Sequence, residues 1–273
     1  MLNLIQTTYL PFLLFISLLT IPTTNASTNT PSNCHFKVGW EPWVPFQFIG
    51  DNGQLTGLDI DLTRTIFDDM GCTLSFVEMP WQRQKTAMRA NKIDIMMSLV
   101  KNKITRSFST LGNAFRDINY VLLVKKSVLE QQPKLSLLED LSGTTLRIGI
   151  VQLNSYQADY EKRLYSSKLS SNIIVLRDDI AVLTGLAKGR LDGMLVNQEF
   201  AQYHLKKIDT FEQYIALPHL APPHDLTYVG FSRKISTPQL IEKFNRSLDN
   251  ILANGKHQEI VTKYSNIDWL LDN

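Results

Sequence analysis

The chain has 273 residues, of which 44% are hydrophobic and 20% charged, and its formal net charge is +2. That length suits one large domain or two of ordinary size, and that balance excludes a disordered chain. No block of Lys or Arg forms a basic stripe, so nothing in the charge pattern calls for a nucleic-acid partner.

Residues 1–26 carry no charged side chain. The apolar run from Tyr9 to Leu19 is followed by Thr24-Asn25-Ala26, a small-x-small cleavage pattern. This predicts a secretory signal peptide cut near Ala26 and a periplasmic mature protein. The segment before the run lacks Lys and Arg, and a retained anchor is the alternative; Pro11, Pro22 and the shortness of the run argue against a span. Pro-Ser-Asn before Cys34 is not a lipid-attachment pattern.

The two cysteines, Cys34 and Cys72, each precede a predicted strand, at 35–40 and 73–77. A helix predicted over 59–70 joins those strands, which makes them parallel neighbours of one β-α-β unit. Both sulfurs then lie at the same end of adjacent strands, within bridging reach, and export favours oxidation. Two separate buried thiols are the alternative.

Further along, Pro80 starts a helix that runs to about Asn91, and 93–98 is a strand. Residues 99–118 show no regular pattern. Tyr120–Val124 is a strand, and 127–143 is a polar connection. Strands at 146–151, 172–176 and 191–196 then alternate with helices at 155–166, 178–188 and 197–206. A proline-rich loop over 209–225, a strand over 226–231 and helices over 237–253 and 256–264 close the chain. Strands alternating with helices predict an α/β protein with mainly parallel sheets.

Two stretches 98 residues apart read alike: Lys92-Ile93-Asp94-Ile95-Met96 and Arg190-Leu191-Asp192-Gly193-Met194. Phe36-Lys37-Val38-Gly39 and Leu146-Arg147-Ile148-Gly149 precede them in step. The repeat predicts two lobes on one plan with a ligand cleft between them.

No enzyme signature stands out. The histidines His35, His204, His219, His224 and His257 are scattered, none at metal-ligand spacing, and there is no nucleophile elbow, phosphate loop or dinucleotide fingerprint. No metal or cofactor is expected. Trp43 and Trp81 fall in loops after strand C-termini, the end that faces the crevice in open α/β sheets, and are expected as cleft walls. Trp40 and Phe46 are expected in the core. Asp59, Asp61, Asp94 and Asp192 fit structural positions at helix and turn ends.

Gly53-Gln54-Leu55-Thr56-Gly57-Leu58-Asp59-Ile60-Asp61-Leu62 resembles the signature of the family 3 extracellular solute-binding proteins, which include the polar amino-acid receptors of bacterial ABC importers. Pro45-Phe46, Phe76-Val77-Glu78-x-Pro80-Trp81, Lys92-Ile93-Asp94, Ile104-Thr105 and Gly189-Arg190-Leu191-Asp192 follow in family order, over roughly residues 35–265. The resemblance implies a two-lobe periplasmic-binding-protein fold of type II, each lobe a mainly parallel sheet flanked by helices. Lobe one is expected over 35–122 and 230–273, with lobe two, 123–229, inserted in it.

The same resemblance implies a ligand set. Trp43 and Trp81 match wall positions, Ser98 matches a contacting serine, and Arg106, twelve residues after Asp94, matches the arginine that forks a ligand carboxylate. Asn154 and Ser155 stand where the family has a turn opening a helix N-terminus, with Leu153 in place of a glycine. Asn197, five residues after Asp192, replaces the aspartate that pairs with the ligand ammonium. An amide supplies no charge, so a weaker preference for standard α-amino acids is expected unless Glu199 or Glu41 substitutes. Arg83 is expected at the surface. The implied function is cleft closure on a small carboxylate-bearing solute by a monomer, for an ABC permease or a membrane sensor. Cyclohexadienyl dehydratases resemble this family, and a dehydratase with Glu199 as its acid is the enzymatic alternative. A sensory protein independent of transport is a third.

Overall fold

The computed structural model describes residues 34–132, 134–151, 158–207 and 211–265. The signal segment with Ala26, and the expected ligand residues Asn154 and Ser155, lie outside the described residues.

The first half of the chain runs β1 (His35–Trp40), β2 (Phe48–Ile49), β3 (Leu55–Thr56), α1 (Leu58–Asp69), β4 (Thr73–Glu78), α2 (Trp81–Arg89), β5 (Ile95–Val100), α3 (Lys103–Phe108), β6 (Ser109–Ile118) and β7 (Tyr120–Lys125). After the short α4 (Lys126–Leu129) come β8 (Ile148–Val151), α5 (Ala158–Leu164), β9 (Ile173–Leu176), α6 (Asp179–Ala187), β10 (Gly193–Asn197) and α7 (Gln198–Lys207). Then follow β11 (Tyr214–Ala216), β12 (Asp225–Ser232), α8 (Pro238–Ala253) and α9 (Lys256–Ser265).

The strands form two five-stranded sheets, ordered β4-β1-β5-β12-β6 and β11-β7-β10-β8-β9, plus the small β2-β3 pair. Each large sheet has three parallel strands joined through helices, β4-β1-β5 and β10-β8-β9. In each sheet a single strand, β12 in the first and β7 in the second, makes the antiparallel pairings, so the α/β sheets are mixed with four of five strands in one direction. The reason is the crossover. The chain passes from the first sheet to the second between β6 and β7, at Asn119, and returns between β11 and β12; the strand that enters each sheet, β7 in the second and β12 in the first, runs against the other four. The sequence-based lobe limits at 122 and 230 cut into β7 and β12, each of which pairs within a single sheet.

Each lobe packs its sheet between two apolar layers. In the first, Val38, Ile66, Phe67, Phe231, Phe244 and Leu248 fill one face and Met88, Ile93, Met96, Leu99 and Phe108 the other. All six residues of β5 are buried, as expected for a central strand covered on both sides. In the second, Leu122, Val124, Ile148 and Leu195 form one layer, and Val121, Leu123, Val182, Met194 and Val196 form the opposite one. Such buried side chains each contribute about 1.5–3 kcal/mol relative to exposure.

α1 begins after Gly57, whose φ is +125° and where a Cβ would lie 2.2 Å from the Phe46 carbonyl oxygen. Only glycine fits there, and the close approach fixes the Trp43–Phe46 loop over the start of the helix. Cys34 and Cys72 are bonded, with their Cα atoms 4.9 Å apart, at the paired ends of the parallel neighbours β1 and β4. In the chain-entropy account, closing a loop with a separation of 38 residues contributes about 4 kcal/mol. His35, next to it, bonds to the Thr73 and Ser75 hydroxyls.

Candidate functional site

A cavity of about 330 Å³ opens between the lobes. From the first lobe it is lined by the C-terminal ends of β1 and β5, which meet at the point where the strand order reverses, and by the starts of α2 and α3. From the second it is lined by Val151 at the end of β8 and by Arg177, Asp178 and Asp179 leading into α6. Loops beyond strand C-termini at a switch point are free to carry side chains into a crevice, because no further strand pairing claims them.

Trp43 and Trp81 both line this cavity. Trp43 stacks 4.3 Å from Phe46, centroid to centroid, and packs on the cores of both lobes. Trp81 is the first residue of α2, its ring lies 5.3 Å from Lys85 Nζ, and its backbone N–H donates to Glu41 Oε2 at 2.7 Å. Pro80 is the cap before this helix rather than its first residue.

Glu41, one residue beyond β1, faces the cavity, and burial pushes its carboxyl up. Asp178 caps α6, accepting from the Ala181 N–H at 2.7 Å, and pairs with Arg177 Nε at 2.9 Å. Asp179 follows in the first turn; burial pushes its carboxyl up to about 7, with Asp178 and Glu41 adding to the rise and the Trp43 indole opposing it. Three carboxylates from both lobes therefore converge on one cavity. The cationic side chains lining it are Lys85, which burial pulls down, and Arg177.

Behind the cavity lies a buried network that sequence reading missed. Arg116 on β6 is 6% exposed and forms an ion pair with Asp59, which is fully buried. Its Nη2 also donates to Asp59 Oδ2 and to Ser98 Oγ, each at 3.2 Å, and its guanidinium lies 4.2 Å from the Phe46 ring centroid. Gln47 Nε2 donates to Asp59 at 3.1 Å while its Oε1 accepts from the Glu41 N–H at 3.3 Å, so the network reaches the cavity rim. Ser98, which lines the cavity, donates to Asp59. It sits in a bulge, Met97 and Ser98 opposing only Val229, and has φ +57°. Bulges re-aim side chains in this way, and a left-handed non-glycine residue costs about 1–3 kcal/mol unless its surroundings hold it.

Arg106, which family spacing placed among the ligand contacts, is not among the residues that line this cavity. Asn102 caps α3 and shares a capping box with Thr105; Thr105 is 3% exposed and lines the cavity. Arg106, one helical step further round, is exposed, and its backbone oxygen is held by Arg233. Arg106→Ala is expected to shift stability by no more than about 0.5 kcal/mol and to leave ligand affinity unchanged, as chemical denaturation and calorimetry would show.

Asn197 is 1% exposed and is not among the residues lining this cavity. Its Oδ1 accepts from the Phe200 N–H at 2.9 Å and its Nδ2 donates to the Asn119 carbonyl at 3.2 Å. It caps α7 and ties it to the crossover, a task an amide meets with one acceptor and one donor. Glu199 lies near Arg116 rather than in the cavity lining; burial pushes its carboxyl up. Asp94 and Asp192 hold the backbone N–H groups of Lys37 and Arg147 at equivalent places in the two lobes. Among the described residues, no group of three His, Cys, Asp or Glu could hold a metal ion, and no helix is long and apolar enough to cross a membrane.

Comparison with known proteins gives the same architecture. The model of the bacterial extracellular solute-binding proteins, family 3, matches residues 36–267. The L-arginine-binding protein of Pseudomonas aeruginosa is 25% identical over 267 residues, covering 93% of this chain and 95% of the relative. The histidine-binding periplasmic protein of Escherichia coli K12 is 23% identical, covering 90% and 92%. Among solved structures, an ABC uptake transporter substrate-binding protein from Streptococcus pneumoniae with bound histidine superposes with a TM-score of 0.70 at 22% identity, covering 85% of this chain and 92% of that one.

Proposed function

The chain belongs to the bacterial extracellular solute-binding proteins of family 3, and from that premise we propose that it closes on a small cationic amino acid held in the cleft between its lobes. The observation that carries this reading is the convergence of Glu41, Asp178 and Asp179 on a cavity walled by Trp43 and Trp81. Carboxylates gathered in a partly dry cleft repel one another, and a ligand cation relieves that repulsion. The indole faces favour the same charge. The relatives named above, for L-arginine and for histidine, agree with such a ligand. A cavity of about 330 Å³ suits a molecule of amino-acid size.

The ligand carboxylate falls to Lys85 and Arg177, the cationic side chains of the lining. Arg116 is committed to Asp59, and Asn197 to the α7 cap. The counter-charge for the α-ammonium comes from Glu41, which lines the cavity, rather than from Glu199, which does not. An elimination reaction needs its acid against the substrate, so the position of Glu199 favours binding over dehydratase chemistry. The mature protein works in the periplasm after removal of residues 1–26, where the Cys34–Cys72 bond is stable. It hands its ligand to an ABC permease or reports it to a membrane sensor.

Calorimetry with L-arginine and with its uncharged isostere L-citrulline tests the reading. Leaving a buried charge unpaired costs about 2–5 kcal/mol, so citrulline is expected to bind at least about 30-fold more weakly. Equal affinities, or no binding of arginine, lysine, ornithine or histidine, would overturn it.

A further inference from the structure

Two buried polar atoms face this cleft without completing a hydrogen bond: Trp43 Nε1 from the first lobe and Asp179 Oδ1 from the second. They belong to residues lining the same cavity, and Trp43 packs on the core of the lobe that carries Asp179. We propose that Trp43 is a positioning residue: its indole N–H closes onto the Asp179 carboxylate across the cleft, latching the lobes and fixing that carboxylate for the ligand. The inference deepens the proposed function, because it assigns a task to a wall of the same site.

An indole nitrogen is a donor only and a carboxylate an acceptor only, so the two are complementary and have no role to exchange. Leaving both buried and unpaired is costly, whereas further closure that brings them together satisfies both. The contact already acts at a distance, since the indole N–H favours the ionised form of Asp179 against burial. The other groups bearing on Asp179 are Asp178 beside it, Glu41 from the opposite lobe and Tyr120 on β7. Arg177 is paired with Asp178, and Lys85 faces Glu41. Within this set the charged neighbours of Asp179 are like-signed, so the uncharged indole donor is the group that favours its ionised form against burial.

The latch divides labour between the two sides of the indole. The ring face serves as a wall for the guest and the ring edge secures the carboxylate that reads the guest's charge. Phenylalanine at 43 preserves the wall and removes the edge, and asparagine at 179 preserves an acceptor and removes the charge.

The test needs no ligand. In the ¹H–¹⁵N spectrum of the mature protein, the Trp43 indole resonance is expected to move with pH about a midpoint near 7 and to stand still in Asp179→Asn, with the Trp40 and Trp81 indoles as references. In Trp43→Phe the carboxylate loses its donor, so the pH above which the thermal midpoint stops falling moves upward. A merely structural wall would lower the thermal midpoint equally at every pH. A flat Trp43 resonance between pH 5.5 and 8.5, or a uniform loss in Trp43→Phe, overturns the proposal. A titrating indole in a protein that binds no L-arginine supports the latch while sinking the ligand assignment.

Discussion

Arg116→Met is expected to destabilise the protein by about 3–5 kcal/mol, because it leaves the Asp59 carboxylate buried without a counter-charge. Asp59 is fully enclosed, and Gln47 and Ser98 offer it hydrogen bonds but no charge. The loss includes the contact of the guanidinium with Phe46. Removing both charges together, as Arg116→Met with Asp59→Leu, is expected to recover most of the stability, since an apolar pair of similar volume avoids the desolvation of both ions. Urea denaturation of the two variants checks this. A single variant as stable as the parent would show that the pair contributes nothing. The affected region matters for function, since the network holds Ser98 and Gln47 at the cavity rim and Arg116 sits three residues before the crossover at Asn119.

The second large effect is on pH dependence. The Asp179 carboxyl rises from its ordinary 3.8 to about 7 in the folded chain, chiefly through burial. Between those values the folded protein keeps a proton that the unfolded chain has released, so stability falls as pH rises through this window and levels off above it. A shift of this size corresponds to at most about 4 kcal/mol, less to the extent that the cleft opens and rehydrates the group. Glu41 and Glu199, also raised by burial, act in the same sense. Glu139, held at about 2 by Arg163, and Asp192, lowered by Arg147, act oppositely, and their contribution is lost only as pH falls below the ordinary carboxylate range. Between pH 5 and 8, therefore, the ligand-free thermal midpoint is expected to fall with pH, and Asp179→Asn should flatten most of that slope. An unchanged slope in Asp179→Asn would show that its carboxyl titrates normally.

Much of the fold was legible because it rests on local signals. The helix over 58–69 shows its apolar period, the disulfide follows from two cysteines before parallel strands, and the duplicated Lys-Ile-Asp and Arg-Leu-Asp turns mark equivalent points of two lobes. β6 was not legible. Its ten residues, Ser-Thr-Leu-Gly-Asn-Ala-Phe-Arg-Asp-Ile, lack clean alternation because register shifts interrupt its pairing with β12. With β6 unseen, Arg116 had no structural address. One signal was available. Asp59 lies on the same helical stripe as Leu62, Thr63, Ile66 and Phe67, all buried. A carboxylate on an apolar stripe calls for a buried cation, a stronger inference than the helix-dipole role its first-turn position suggested. Asn197 shows a related limit: in the sequence an acidic-to-amide change reads as altered ligand chemistry, whereas the structure shows its side chain capping α7.

In the proposed function, a cation drawn between the carboxylates of the two lobes closes the cleft. Small-angle X-ray scattering of the mature protein, with and without saturating L-arginine, measures this most directly. The radius of gyration is expected to shrink with L-arginine and to stay unchanged with L-citrulline at the same concentration. Tight binding of L-arginine with unchanged scattering would contradict it.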